Sequence, residues 1–158
     1  MLYIAVVGGS DCTKEERELA RDTGREVARR GGTVICGGGT GVMEAASEGA
    51  REAGGDALGI LPGSDHRLGN RHLSFSIATG LGEARNAIIT RTADAVIAIG
   101  GEYGTLSEIA LALKMNKPVI GINSWSLQKP DRSAGPGMIE AESAEEAVKL
   151  AIDAAGLI

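Results

Sequence analysis

Short apolar runs alternate with segments of helical period along the chain. Residues 3–7, 33–36, 57–61, 95–99 and 118–122 are almost continuously apolar, as strands covered on both faces by helices are. Between them the apolar positions space helically, first Leu19, Ala20, Thr23, Val27 and Ala28, then Val42, Met43, Ala46, Ala50 and Ala53. Further helical stretches run over 82–92 and 106–115, while 74–78 and 138–141 read as weaker strands. Thr13 with Glu16 makes the T-x-x-E pattern of a capping box before the first helix, and Ser143 with Glu146 makes a second such cap before the last. The alternation predicts one α/β domain over 1–158, a three-layer, doubly wound parallel sheet with helices on both faces.

Composition adds one feature to this pattern. The 158 residues include 24 glycines, about twice the usual share of roughly 7%. Many of them follow the predicted strands, in Gly8-Gly9-Ser10, in Gly37-Gly38-Gly39-Thr40-Gly41 and in Gly100-Gly101. Ligands of open parallel sheets sit beyond the carboxyl ends of the strands, so the three loops line one edge. Any one loop is explained by a tight strand-to-helix turn; three converging ones point to a binding site. Glycine lets main-chain N–H groups approach an anion, and a helix N-terminus adds unpaired donors, which makes Gly104-Thr105 a phosphate cradle. The expected ligand contacts are therefore Gly8, Gly9, Ser10, Gly38, Gly39, Thr40, Gly41, Gly100, Gly101, Glu102, Tyr103, Gly104 and Thr105.

The loops match neither a Walker A nor G-x-G-x-x-G. Cys36 leads straight into glycine, where a dinucleotide site would carry an acid for the ribose, which argues against a nicotinamide dehydrogenase. Thr105-Leu-Ser-Glu108 has two readings. As a capping box it stabilises the helix by about 1 kcal/mol; as a site residue, Glu108 stands where a sugar attached to the phosphate would lie and acts on it. Spacing leaves both open.

Charge and cysteine usage narrow the partners. A net charge of -5 offers no electrostatic footprint for nucleic acid or an anionic membrane. No apolar run approaches the roughly 20 residues of a membrane span, and the start lacks a signal-peptide pattern, so a cytoplasmic location is expected. Cys12 and Cys36 match no metal spacing, and no metal or cofactor is expected. The loop over 62–73 carries His66, Arg67, Arg71 and His72, which either grip an anionic ligand or form a solvated surface.

With these residues in view, the sequence resembles a known family. GGEYGTLSE, residues 100–108, is similar to the P-G-G-x-G-T-x-x-E signature of the LOG phosphoribohydrolases, proteins often labelled lysine decarboxylases. Residues 37–43 resemble that family's G-G-G-x-x-G-L-M loop, one residue shorter, and Arg85-Asn86 stands where the family has an Arg-Lys pair. The likeness covers roughly residues 3–122. It implies a Rossmann-like fold, a homodimer or higher oligomer, and cleavage of the N-glycosidic bond of nucleoside 5'-monophosphates to base and ribose 5-phosphate. By that resemblance Arg85 and Glu108 are the catalytic pair, and Asn86 joins the ligand contacts. Three positions depart from the family's pattern: Gly100 falls on the signature's proline, Glu102 falls on its second glycine, and Asn86 replaces the lysine.

Gly-Leu-Gly-Glu-Ala-Arg-Asn with G-G-x-Y-G-T-L-S-E is also similar to a branch that includes molybdenum-cofactor carrier proteins. This implies the alternative of a non-catalytic carrier for a phosphorylated pterin. Lysine decarboxylation fits less well, since Lys14, Lys114, Lys117, Lys129 and Lys149 all fall outside the glycine loops, where a Schiff base would be needed. The stretches holding Ala84, Ala87 and Ile88, and Ile109 to Leu113, are richer in aliphatic residues than one inner stripe requires. Together with the resemblance this leads to the expected homodimer.

Overall fold

The apolar run at the start of the chain becomes β1 (Leu2–Gly8), the strand on which the sheet is organised. The computed structural model describes residues 1–131 and 137–156. From β1 the chain runs through α1 (Lys14–Arg29), β2 (Gly32–Cys36), α2 (Val42–Glu52), β3 (Ala57–Leu61) and β4 (Phe75–Ala78). It continues through α3 (Asn86–Thr92), β5 (Ala95–Ile99), α4 (Tyr103–Lys114), β6 (Val119–Ile122), β7 (Ile139–Glu140) and α5 (Ala144–Ala155). The spatial order is β4-β3-β2-β1-β5-β6-β7, with every pairing parallel. The chain builds outward from β1 in one direction, then crosses back to β5 and builds in the other. The switch point lies between β1 and β5, where an open sheet leaves a crevice at its carboxyl edge.

Buried strands in such a sheet need apolar residues on both faces, and two cores result. Ile4, Val6, Val34, Cys36, Ile97 and Ile120 face α1, α2 and α5, while Ala5, Val7, Ile35, Ile60, Val96 and Ala98 face α3 and α4. The helices α1 and α2 approach closely because Gly24 and Gly49 lack side chains. A Cβ on Gly24 would come within 1.9 Å of the Ala46 carbonyl oxygen, and one on Gly49 within 1.8 Å of that of Arg21.

The capping box of α1 forms as its sequence predicts: Thr13 Oγ1 accepts from Glu16 N–H at 3.1 Å, and Glu16 Oε2 accepts from Thr13 N–H at 3.0 Å. At α5, Ser143 Oγ accepts from Glu146 N–H at 3.2 Å. Three expectations are corrected. The helix expected over 106–115 starts earlier, at Tyr103, with Glu102 as its N-cap; Thr105 and Glu108 are therefore inside the helix and form no capping box. The helix expected over 82–92 is split into a 3-10 turn over Gly82–Arg85 followed by α3. The loop over 62–73 contains a 3-10 turn, His66–Leu68, capped by Asp65.

Candidate functional site

Three loops converge at the switch point because β1 and β5 are neighbours, with Gly8 in register with Ile99. The β1 loop is tied to the start of α2: Val42 N–H donates to Gly9 C=O at 3.0 Å and Thr40 Oγ1 donates to Ser10 C=O at 3.0 Å. Beyond β5, Gly100 and Gly101 adopt φ of 52° and 98°, a region that favours glycine. They swing the chain into α4, whose first internal hydrogen bond runs from Leu106 N–H to Glu102 C=O at 3.0 Å. The N–H groups of Tyr103, Gly104 and Thr105 precede that ladder, as the first donors of a helix do.

A cavity of about 290 Å³ opens at this junction, lined by Gly8, Gly9, Ser10, Asp11, Met43, Arg85, Asn86, Glu102, Gly104, Thr105 and Glu108. Burial is uneven across it. Glu108 is 7% exposed and Asn86 8%, while Glu102 lies open. Desolvation raises the Glu108 carboxyl to about 7, against a smaller opposing pull from Arg85. The Arg85 guanidinium is itself lowered by desolvation, with Glu108 and Cys36 acting in the other direction. Arg85 Nη1 donates to Gly37 C=O at 2.6 Å and to Ile60 C=O at 2.5 Å, and its buried Nε has no hydrogen-bond partner among the described residues. Asn86 Nδ2 donates to Ser107 Oγ at 3.0 Å, and Ser107 Oγ donates to Gly104 C=O at 2.8 Å. Asn86 thus ties the start of α3 to the first turn of α4.

The remaining expected contacts lie around this cavity. Gly38 and Gly39 line a second cavity on the other side of Arg85, with Gly37, Leu61, Pro62, Gly63, Asp65 and Leu68. Gly100 and Gly101 border a third space with Glu16, Asn123, Ser124, Trp125 and Ser126, behind the glycine turn. Thr40 and Gly41 join the first two loops; a Cβ on Gly41 would fall 2.3 Å from the Gly9 carbonyl oxygen. Tyr103 is 77% exposed and packs on Trp125, their ring centroids 5.9 Å apart.

Of the basic loop, Arg67 pairs with Asp65 at 2.9 Å and Arg71 Nε donates to His72 Nε2 at 3.3 Å. Neither these side chains nor His66 line the cavity beside Glu108. Asp11 and Met43 do line it without being expected. Asp11 directly follows a glycine loop, and Met43 ends the stretch 37–43 that resembles the family's glycine loop; both positions could have signalled them. Among the described residues, no group of three or more His, Cys, Asp or Glu side chains is placed to hold a metal ion.

A seven-stranded parallel sheet with helices on both faces and a glycine-lined crevice at its switch point defines a protein of the Rossmann-like class. Residues 1–151 match the SLOG cluster4 family, and the chain belongs to that family. It is similar to the molybdenum cofactor binding protein of Rippkaea orientalis, at 38% identity and a TM-score of 0.86 over 94% of each chain. It is also similar to the Moco carrier protein of Chlamydomonas reinhardtii, at 31% identity and a TM-score of 0.84 over 98% of each chain. Over 111 residues it is 34% identical to the cytokinin riboside 5'-monophosphate phosphoribohydrolase LOG5 of Arabidopsis thaliana. That alignment takes in 67% of this chain and 49% of LOG5, so the chain spans about half the length of that relative. Among the described residues no helix is long and apolar enough to cross a membrane.

Proposed function

We propose that this protein binds a phosphorylated, nucleotide-like ligand at the switch point and hydrolyses the N-glycosidic bond of a nucleoside 5'-monophosphate. The observation that carries the reading is Glu108, a buried carboxyl raised to about 7 by desolvation, lining one cavity with Arg85. A group that titrates near the working pH is suited to proton transfer. The phosphate would be held by the N–H groups of Gly104 and Thr105 at the start of α4, with Gly101 shaping the turn. Arg85 orients the ligand. The charged side chains lining the cavity are Asp11, Glu102 and Glu108 against Arg85, so main-chain donors, more than net charge, must hold the phosphate.

In the reaction, water attacks C1' of the ribose while the bond from C1' to the base nitrogen breaks. Glu108 as carboxylate removes one proton from the water, and the leaving base gains one, so base and ribose 5-phosphate form with atoms and charge balanced. Chromatography of free base after incubation with a panel of purine and pyrimidine 5'-monophosphates tests this. Release by the wild type that is lost in Glu108→Gln is the expected result.

A second reading is favoured by specific observations: a non-catalytic binding protein for molybdenum cofactor or a related phosphorylated pterin, carried as cargo. Glu102 lines the cavity where the phosphoribohydrolase signature has glycine, and Asn86 is spent on Ser107 in place of a cation. The relatives named for this cofactor also match nearly the whole chain. No base release from any nucleotide, with retained binding of a phosphorylated pterin, would establish this reading.

The proposal includes a cytoplasmic homodimer. Ile109 and Ala112 are buried within the monomer, so they are not available to a partner. On the α3 and α4 face of the sheet Phe75 is instead 63% and Ile77 48% exposed, and on α3 itself Ile88 is 36% exposed. Phase and pairing place Phe75 and Ile77 on that face, in register with Leu58 and Ile60, where a second copy of the chain would cover them.

A further inference from the structure

Arg85 is a partition between two cavities. On one side lies the space of about 290 Å³ with Glu108 and the start of α4; on the other lies a space of about 260 Å³ formed by Gly37, Gly38, Gly39, Leu61, Pro62, Gly63, Asp65 and Leu68. Small-molecule sites usually measure roughly 300–1,000 Å³. Each space lies near the lower end of that range, and together they fall well inside it. Their chemistry differs as the two ends of a nucleotide differ. The first is bordered by helix donors and mostly charged or polar groups, the second by Leu61, Pro62, Leu68 and glycine backbone, with Asp65 and Arg85 as its charged side chains.

We infer that the cavity beyond Arg85 is the subsite for the planar heterocyclic ring of the ligand, which lies across Arg85 with its phosphate at α4. This rests on the reading that a phosphorylated ligand binds beside Glu108. Hydrogen bonds from Nη1 to the carbonyls of Gly37 and Ile60 hold the guanidinium at the boundary, and such a planar group stacks favourably on an aromatic ring. The ring space is kept open by Gly38, whose φ is 75° and where a Cβ would strike Leu61 Cδ2 at 2.2 Å. The loop that closes it is fastened by Asn70, whose N–H donates to Gly38 C=O at 2.9 Å and whose Nδ2 donates to Gly39 C=O at 3.0 Å.

The rim also selects a ring chemistry. Asp65 is held by Arg67, with Oδ1 accepting from Arg67 N–H and Nε and Oδ2 from Nη2, each at 2.9 Å. An ionised carboxylate has about four acceptor sites, so one remains on Oδ2. It recognises a ring bearing an N–H or NH2 donor, as amino-purines and pterins do.

The test is calorimetric binding to the full chain carrying Glu108→Gln, so that bound nucleotide is not consumed. The probes are ribose 5-phosphate, adenosine 5'-monophosphate and purine ribonucleoside 5'-monophosphate, which lacks the amino group. Adenosine monophosphate should bind at least tenfold tighter than ribose 5-phosphate. Deleting the amino group should remove severalfold of that gain, and Asp65→Asn should abolish the difference between the two nucleotides. Gly63→Leu, at a position where a Cβ meets no atom within 4 Å, places bulk at the rim and should cut the gain from the ring while leaving thermal stability intact. Nucleotides no tighter than ribose 5-phosphate, or a gain indifferent to both Asp65→Asn and Gly63→Leu, would overturn the ring subsite and leave the phosphate reading standing. Failure of every probe to bind would overturn both.

Discussion

Thr105 occupies the space that a side chain on Gly101 would need: a Cβ there would lie 2.4 Å from both Cβ and Oγ1 of Thr105. The same glycine has φ of 98°. The turn into α4 and the third residue of that helix are thus fitted to each other. Ser124 Oγ, donating to Gly100 C=O at 2.7 Å, and Trp125 Nε1, donating to Glu102 C=O at 3.3 Å, brace the turn from behind.

Gly101→Ala should therefore damage the site twice, through backbone strain of about 1–3 kcal/mol and through displacement of Thr105. We expect a lower melting temperature and at least a tenfold loss of affinity for ribose 5-phosphate. Calorimetry and thermal denaturation read the two effects separately. A variant with wild-type affinity would remove this turn from the binding site.

Glu108 makes stability depend on pH with a defined sign. Its folded carboxyl is raised from an ordinary 4.5 to about 7, so between those values the folded state holds a proton that the unfolded chain releases. This contribution to stability falls as pH rises from about 4.5 to about 7 and is level above. Glu108→Gln should match the wild type at pH 4.5 and exceed it at pH 8, by on the order of 3 kcal/mol from the size of the shift. Urea denaturation of both proteins across pH 4.5 to 8 measures it.

If Glu108 removes a proton from the attacking water, the rate should follow its carboxylate form. Nucleotide hydrolysis, read as kcat/KM, should rise about tenfold per pH unit below about 7 and flatten above it. A profile flat between pH 5 and 8 would be inconsistent with Glu108 as the base.

The cap of α1 offers a control far from chemistry. Thr13→Ala removes the acceptor for Glu16 N–H and should lower stability by about 1 kcal/mol. Ligand affinity should stay within twofold, as checked by denaturation and calorimetry.

The uncovered sheet face makes a prediction about assembly. Replacing both Phe75 and Ile88 by Arg should convert a dimer into a folded monomer, since charges would be desolvated on association. Light scattering at micromolar concentration distinguishes the two states.

The alternation of apolar runs and helical periods determined the sheet, its helices and its carboxyl-edge glycine loops, because burial on both faces demands continuous apolar strands and tight returns demand glycine. The T-x-x-E pattern of Thr13 and Glu16 likewise determined the α1 cap, a local arrangement of four residues. The burial of Glu108 was beyond the reach of either pattern. Thr105-Leu-Ser-Glu108 is a sound capping pattern, and only the turn through Gly100 and Gly101, set by β6-side contacts from Ser124 and Trp125, starts the helix at Tyr103 and leaves the carboxyl buried in a cavity. In the same way Arg85 and Glu108 are 23 positions apart in sequence, and only the crossing from β4 to β5 brings them to one space. Pairing of strands distant in the chain decides such neighbours, and no local spacing encodes it.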